Sequence, residues 1–244
     1  MIFNFIIKVS KGVYLFSRKC ELLAERFRKL PAVPVEYKLF AGQALYKLIR
    51  EYQFETVLDV GSGEGKHSEV FINSGKVVTA IDYGESVYFR KKSGELECIV
   101  ADFNSFQFDR QYDCIWCSHV LEHQLDSHLF LTNIHFNLKE GGILAITVPP
   151  LKHVIVGGHV SLWNAGLLLY RLVLAGFNCK DASVLTDEYN VSVIVRKSSI
   201  KVLDIIEYDS GDVRKIKNYL PPQIKFHPNY NDDPFYGQIS QINW

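Results

Sequence analysis

Apolar positions along this chain follow two alternating rhythms. Short runs rich in apolar residues, at Thr56–Val60, Val77–Ile81, Glu97–Ala101, Tyr112–Cys117 and Gly142–Val148, read as strands. Between them, Lys66–Asn73 reads as a short helix stopped by Gly75. Leu121, Leu125, Leu129, Phe130, Ile134 and Leu138 recur at helical intervals and stop at Gly141-Gly142. Strands alternating with helices predict parallel pairing through right-handed crossovers, hence an α/β, doubly wound, mostly parallel sheet. Further on, Ser161 is placed to cap a helix whose face is Trp163, Leu167, Tyr170 and Leu174, stopped at Gly176. Strands near Cys179–Leu185 and Val191–Arg196 complete a predicted seven-stranded sheet.

The first thirty residues follow a different period. Ile2, Ile6, Val9, Val13, Phe16, Cys20, Leu23, Phe27 and Leu30 keep a four-three spacing, and the segment holds seven Lys/Arg against two Glu. It reads as a basic amphipathic helical extension over residues 1–35, closed by Pro31 and Pro34, suited to its own domain, to peripheral membrane contact or to a homo-oligomer. Asn4, Lys8 and Lys11 interrupt it well short of the about 18 apolar residues of a membrane span. A second amphipathic stretch near residues 36–52 leads into the alternating region, so residues 36–200 form the expected main domain. The aromatic-rich remainder, 201–244, is expected to pack on it and to border the acceptor site.

Composition narrows the classes. The 244 residues are 48% hydrophobic and 22% charged, which excludes wholesale disorder. Lys+Arg and Asp+Glu both number 27, so no global field attracts polyphosphate and nucleic acid is not an expected partner. Five scattered cysteines, an odd number, fit reduced thiols in a cytoplasm. The expected location is therefore cytoplasmic, with the inner face of the membrane open to the N-terminal helix.

The most informative segment is Val57-Leu58-Asp59-Val60-Gly61-Ser62-Gly63-Glu64-Gly65, a strand running into a glycine turn that opens a helix. A nucleoside triphosphate loop needs four residues between Gly and Gly-Lys, then Ser or Thr. Here three residues separate Gly61 from Gly65, and His67 follows Lys66. A dinucleotide loop needs a third glycine where Lys66 stands, and Asp59 would face its pyrophosphate unfavourably. A ligand with a positive amino group and no phosphate would accept that carboxylate. Asp82 ends the second strand, 19 residues past Gly63, suited to ribose hydroxyls. Asp102 ends the third, in Val100-Ala101-Asp102-Phe103.

This ordered set resembles the class I S-adenosylmethionine-dependent methyltransferases over roughly residues 55–150. The resemblance implies S-adenosylmethionine as cofactor on a Rossmann-like methyltransferase fold. It places Asp59, Gly61, Ser62, Gly63, Asp82, Tyr83 and Ser118 along the ligand, with Asp102 and Phe103 at the adenine. The later segment Gly158-His159-Val160-Ser161-Leu162-Trp163 resembles methyltransferases of bacterial surface-polysaccharide biosynthesis, implying a sugar or sugar-phosphate acceptor. A quinone or other lipid acceptor suits the amphipathic N-terminus equally. His119 and His159 are the candidate general bases for a hydroxyl acceptor. Two readings from other classes are a nicotinamide oxidoreductase and a non-catalytic assembly protein on the same sheet.

Three other patterns in the chain match known motifs in part. His119-Val120-Leu121-Glu122-His123 matches the inverted zinc motif H-x-x-E-H. Related methyltransferases carry a similar Leu-Glu-His at that strand end, so no metal is expected. Cys114 and Cys117 form C-x-x-C on a strand, where residues three apart face opposite ways, and read as core thiols. Pro149-Pro150 follows the fifth strand instead of the fourth, so it does not match the Pro-Pro motif of nucleic-acid amino methyltransferases.

Overall fold

The computed structural model describes residues 39–91, 97–228 and 233–244; the expected helix over residues 1–35 lies outside them. Helix α1 (Gly42–Glu51) precedes β1 (Thr56–Val60), α2 (Lys66–Asn73), β2 (Val77–Asp82) and β3 (Cys98–Val100). Strand β4 (Tyr112–Ser118), helix α3 (Ser127–Asn137), β5 (Leu138–Val148) and α4 (Ala165–Leu174) follow. Strands β6 (Ser183–Asp187) and β7 (Asn190–Arg196), the short α5 (Asp212–Ile216) and β8 (Gln241–Ile242) complete the order.

The sheet runs β3-β2-β1-β4-β5-β7-β6-β8. The first five strands in that order pair in parallel, and β7, β6 and β8 add antiparallel pairs. The chain thus forms the expected α/β sheet with one strand more than predicted, because Val184 and Leu185 pair with Ile242 and Gln241 of the C-terminal tail.

Strand alternation sorts the core onto two faces. Leu58, Val60, Ile115, Cys117, Leu144 and Ile146 meet α3 and α4 on one side. Val57, Cys114, Trp116 and Ala145 meet Leu45, Leu48 and Phe71 on the other. Cys114 and Cys117 are fully buried on opposite faces, and burial pushes both thiols up. Ile206, Ile216, Leu220, Ile224 and Ile242, all beyond residue 200, are buried in the larger cluster. Their burial explains why the tail is so apolar.

Three elements depart from expectation for local reasons. The helix expected from Leu121 breaks into a 3-10 turn, Leu121–His123, and α3. Asp126 starts α3 afresh by accepting the His128 and Leu129 N–H groups at 3.1 and 2.9 Å. Helix α4 is capped by Asn164, which accepts from Leu167 N–H at 2.8 Å. Ser161 instead accepts the Trp163 indole N–H at 2.8 Å, holding that ring in the core ahead of the helix. Strand β5 begins at Leu138, directly after α3, and its pairing with β4 shifts register between Tyr112 and Cys114.

Candidate functional site

Strand β1 feeds the glycine turn where strand order reverses between β1 and β4, the crevice in which open α/β sheets hold ligands. Gly61 and Gly63 stand at φ +73° and +53°. A Cβ on Gly61 would lie 2.2 Å from Val120 Cγ2, so this turn lies directly on the chain leaving β4. The Gly61 N–H donates to the Ile81 carbonyl at 2.8 Å.

Asp82, the last residue of β2, clasps the turn. Its Oδ2 accepts the Gly63 N–H at 2.9 Å and its Oδ1 the Gly84 N–H at 2.8 Å. The carboxylate is 8% exposed, and each oxygen keeps capacity for one further donor. Beside it Tyr83 is 69% exposed. Asp102 is exposed past the end of β3, where its Oδ1 accepts the Asn104 N–H at 2.9 Å. Carboxylates at two successive strand ends suit the hydroxyl and amino donors of a nucleoside.

Four expected ligand residues make contacts within the protein. Asp59 is 1% exposed and accepts the Ser68 hydroxyl at 2.6 Å, instead of meeting a ligand's positive end. Burial pushes its carboxyl up to about 7, the Asp82 charge adds to this, and the Ser68 bonds oppose it. The Ser62 hydroxyl is buried 3.4 Å from Cys98 Sγ. The Phe103 ring, assigned to an adenine face, is 7% exposed and packs 5.2 Å from Phe130 in the core. Ser118 Oγ accepts the Thr147 hydroxyl at 3.0 Å, its side chain part-buried. Asp59 and Phe103 are thus buried, whereas Tyr83 and Asp102 are exposed past the ends of β2 and β3 and Asp82 holds the glycine turn itself.

The two candidate bases come together beyond the end of β4. His119 stands at φ +57°, a left-handed backbone seldom adopted outside glycine and concentrated at functional sites. Its ring stacks on Tyr189 at 5.8 Å and 5°, and its Nε2 lies 2.9 Å from Asn190 Oδ1. Its Nδ1 is 3.3 Å from Glu122 Oε1. Glu122 also faces His123 Nε2 at 3.8 Å, and the His123 and His159 rings meet edge to face at 5.0 Å. His159 is depressed below the ordinary histidine value chiefly by burial, which favours its neutral form. It lines a narrow cleft with Pro150, Lys152, Val156, Trp163 and Tyr189. Val154 and Leu162, which also line it, give it an exposed apolar rim, and Leu151, Ile155 and Val160 of the same connection are exposed as well.

Sequence reasoning missed Glu122 as a member of this group. It also missed Asn190 and Tyr189, which reach His119 from 71 and 70 positions along the chain. The signal for Glu122 was the H-x-x-E-H pattern itself, with its carboxylate inside the turn.

A family model described as a methyltransferase domain matches residues 14–178. The ubiquinone biosynthesis O-methyltransferase of Rickettsia prowazekii (strain Madrid E) is 28% identical over 121 residues, 47% of this chain and 47% of that protein. Its namesake in Pseudomonas paraeruginosa (strain DSM 24068 / PA7) is 34% identical over 96 residues, 36% of this chain and 41% of that protein. This chain thus spans about half the length, or less, of these curated relatives. In fold it is similar to Burkholderia thailandensis 1,6-didemethyltoxoflavin-N1-methyltransferase, with a TM-score of 0.55 at 17% identity over 77% of this chain and 90% of that one. N-methyltransferase NodS from Bradyrhizobium japonicum WM9 gives 0.52 at 18% identity, covering 64% of this chain and 85% of that one.

Proposed function

Because this chain belongs to the methyltransferase-domain family, we propose that it transfers a methyl group from S-adenosylmethionine to a hydroxyl oxygen of a small apolar-tailed phenol of the quinone-precursor class. The observation that carries the cofactor is Asp82 clasping Gly63 at the switch point. There Gly61, Gly63 and Asp82 would hold the amino-acid and ribose parts, and Tyr83 and Asp102 the adenosine end. Bound there, S-adenosylmethionine supplies a methyl group already activated on a sulfonium sulfur.

The chain's own residues then have three tasks. The glycine turn and Asp82 fix the donor, and the cleft beside His159 aligns the acceptor oxygen with it and excludes water. The hydroxyl proton leaves to the histidine and carboxylate group of His119, Glu122 and His159. The buried Glu122 offsets positive charge gained there.

The acceptor reading rests on the apolar rim of the cleft and on the curated relatives, which are ubiquinone-pathway O-methyltransferases. A polyprenylated catechol offers a phenolic hydroxyl to the histidines and an isoprenoid tail to Val154, Ile155 and Leu162. This reading is better supported than the sugar acceptor suggested by the polysaccharide resemblance. Residues 1–30 would complement it by holding the enzyme at an anionic lipid surface.

The test is a radiolabelled methyl-transfer assay with the full chain, comparing a short-chain prenyl catechol with nucleotide sugars. Labelled catechol ether, lost in the His159→Ala and His119→Ala proteins by about 10²–10⁴-fold, is expected. Methylation of a nucleotide sugar alone would overturn the acceptor class.

A further inference from the structure

Glu122 is fully buried, yet neither carboxylate oxygen has a hydrogen-bond partner among the described residues. The other deeply buried carboxylates are provided for: Asp59 accepts from Ser68, and Asp212 from the N–H groups of Glu207 and Tyr208. An unpaired buried carboxylate costs several kcal/mol unless something positive meets it.

Its nearest polar neighbours are imidazole nitrogens. The Ala41 N–H donates to Asn190 Oδ1 at 3.1 Å, which fixes that atom as the amide oxygen. His119 Nε2, at 2.9 Å from the same atom, is therefore a donor, and its Nδ1 lies 3.3 Å from Glu122 Oε1. The Gly158 carbonyl accepts from His123 Nδ1 at 2.8 Å, which leaves His123 Nε2 facing the same carboxylate oxygen at 3.8 Å. Two ring nitrogens thus converge on a buried carboxylate that has no hydrogen-bond partner, and a cation held between them would satisfy it.

We propose that Glu122, His123 and His159 form a binding site for a divalent metal ion of the zinc class. One ligand atom from each lies within 4.8 Å of the others. Donor atoms around a tetrahedral zinc ion stand about 3.4 Å apart, so the site closes by up to about 1.4 Å on loading. His159 lies in the connection over residues 149–164, outside any helix or strand, where such an adjustment is small. Two imidazoles and one carboxylate suit zinc, cobalt(II) or iron(II) better than magnesium or calcium, which prefer all-oxygen sites. The Gly158 carbonyl on His123 is the outer partner that orients a metal-binding ring and fixes its tautomer. Three protein ligands leave a position open toward the cleft that His159 lines. A metal there takes the place of the proton acceptor assigned to His159, while the site itself stands whether or not methyl transfer is the reaction.

The test uses the full chain, stripped by a chelator and titrated with Zn²⁺ by calorimetry, with Co²⁺ absorption as a second probe. One ion per chain is expected, with a cobalt spectrum of low-symmetry nitrogen and oxygen coordination. Glu122→Gln and His123→Ala should each weaken binding at least 100-fold. His123 is exposed enough that its variant is expected to fold, and S-adenosylhomocysteine binding measured in parallel reports on the rest of the domain. Absence of saturable binding in the parent overturns the proposal, as does undiminished binding in both variants. So does an imidazolium signal at His119 or His123 in metal-free protein at pH 8, because a proton would then be the missing cation.

Discussion

Asp59 should make this protein less stable as the solution becomes less acidic, and Asp59→Asn should abolish that loss. The carboxyl is 1% exposed and sits between β1 and α2, where desolvation disfavours its charged form. Its pKa rises from the ordinary 3.8 to about 7. A raised carboxyl binds its proton more tightly in the folded chain than in the unfolded one. Stability from this group is therefore fully present below pH 3.8 and is lost as pH climbs to about 7. At about 1.4 kcal/mol per pH unit, the loss reaches about 4 kcal/mol, as an upper figure. Asparagine keeps an oxygen for the Ser68 hydroxyl and has no charge to desolvate. The variant should match the parent near pH 4 and exceed it at pH 8, by on the order of 10 °C in Tm for a domain of this size. Thermal melts of both proteins across pH 4–8 provide the assay. A constant difference across that range, or a less stable variant at pH 8, would refute the reasoning.

Other substitutions probe the crevice and the extension. Asp82→Ala should weaken S-adenosylhomocysteine binding by about 1.5–3 kcal/mol, the range for hydrogen bonds to a charged group. It should also lower the folding midpoint, because the N–H groups of Gly63 and Gly84 lose their acceptors; calorimetry and a melt read the two effects separately. Gly61→Ala places a Cβ 2.2 Å from Val120 Cγ2 at φ +73° and should destabilise by about 1–3 kcal/mol in urea titration, with Val120→Ala restoring part of it. Deleting residues 1–30 should leave S-adenosylhomocysteine binding intact and abolish flotation with anionic vesicles. In the full chain that flotation should fall steeply with salt.

The strands were legible because their apolar runs sit between glycines and polar turns. Thr56–Val60 and Lys66–Asn73 form at the expected residues. Boundaries set by side-chain caps were harder, since Asp126 and Asn164 compete with nearby polar residues that could serve equally well. The positions of the glycine turn after β1 and of Asp82 at the end of β2 were readable from local spacing, but the bonds from Asp82 to the Gly63 and Gly84 N–H groups were not. The burial of Asp59 was not readable from alternation, because both faces of β1 are buried and its spacing to the glycines suits a ligand role equally well. Phe103 belongs with Phe108 and Phe130 in one aromatic cluster, a three-dimensional fact that position at a strand end does not convey. The contacts of His119 with Asn190 and Tyr189 depend on β7 folding back beside β5. Local sequence carries no trace of such a return.

The central claim is that the crevice beside Gly61, Gly63 and Asp82 holds an adenosyl methyl donor. Calorimetric titration of the full chain with S-adenosylhomocysteine, and separately with NADH, tests it most directly. Saturable binding of S-adenosylhomocysteine at one per chain, weakened in Asp82→Ala and with no comparable heat from NADH, is the predicted result. Binding of NADH without S-adenosylhomocysteine would contradict the account.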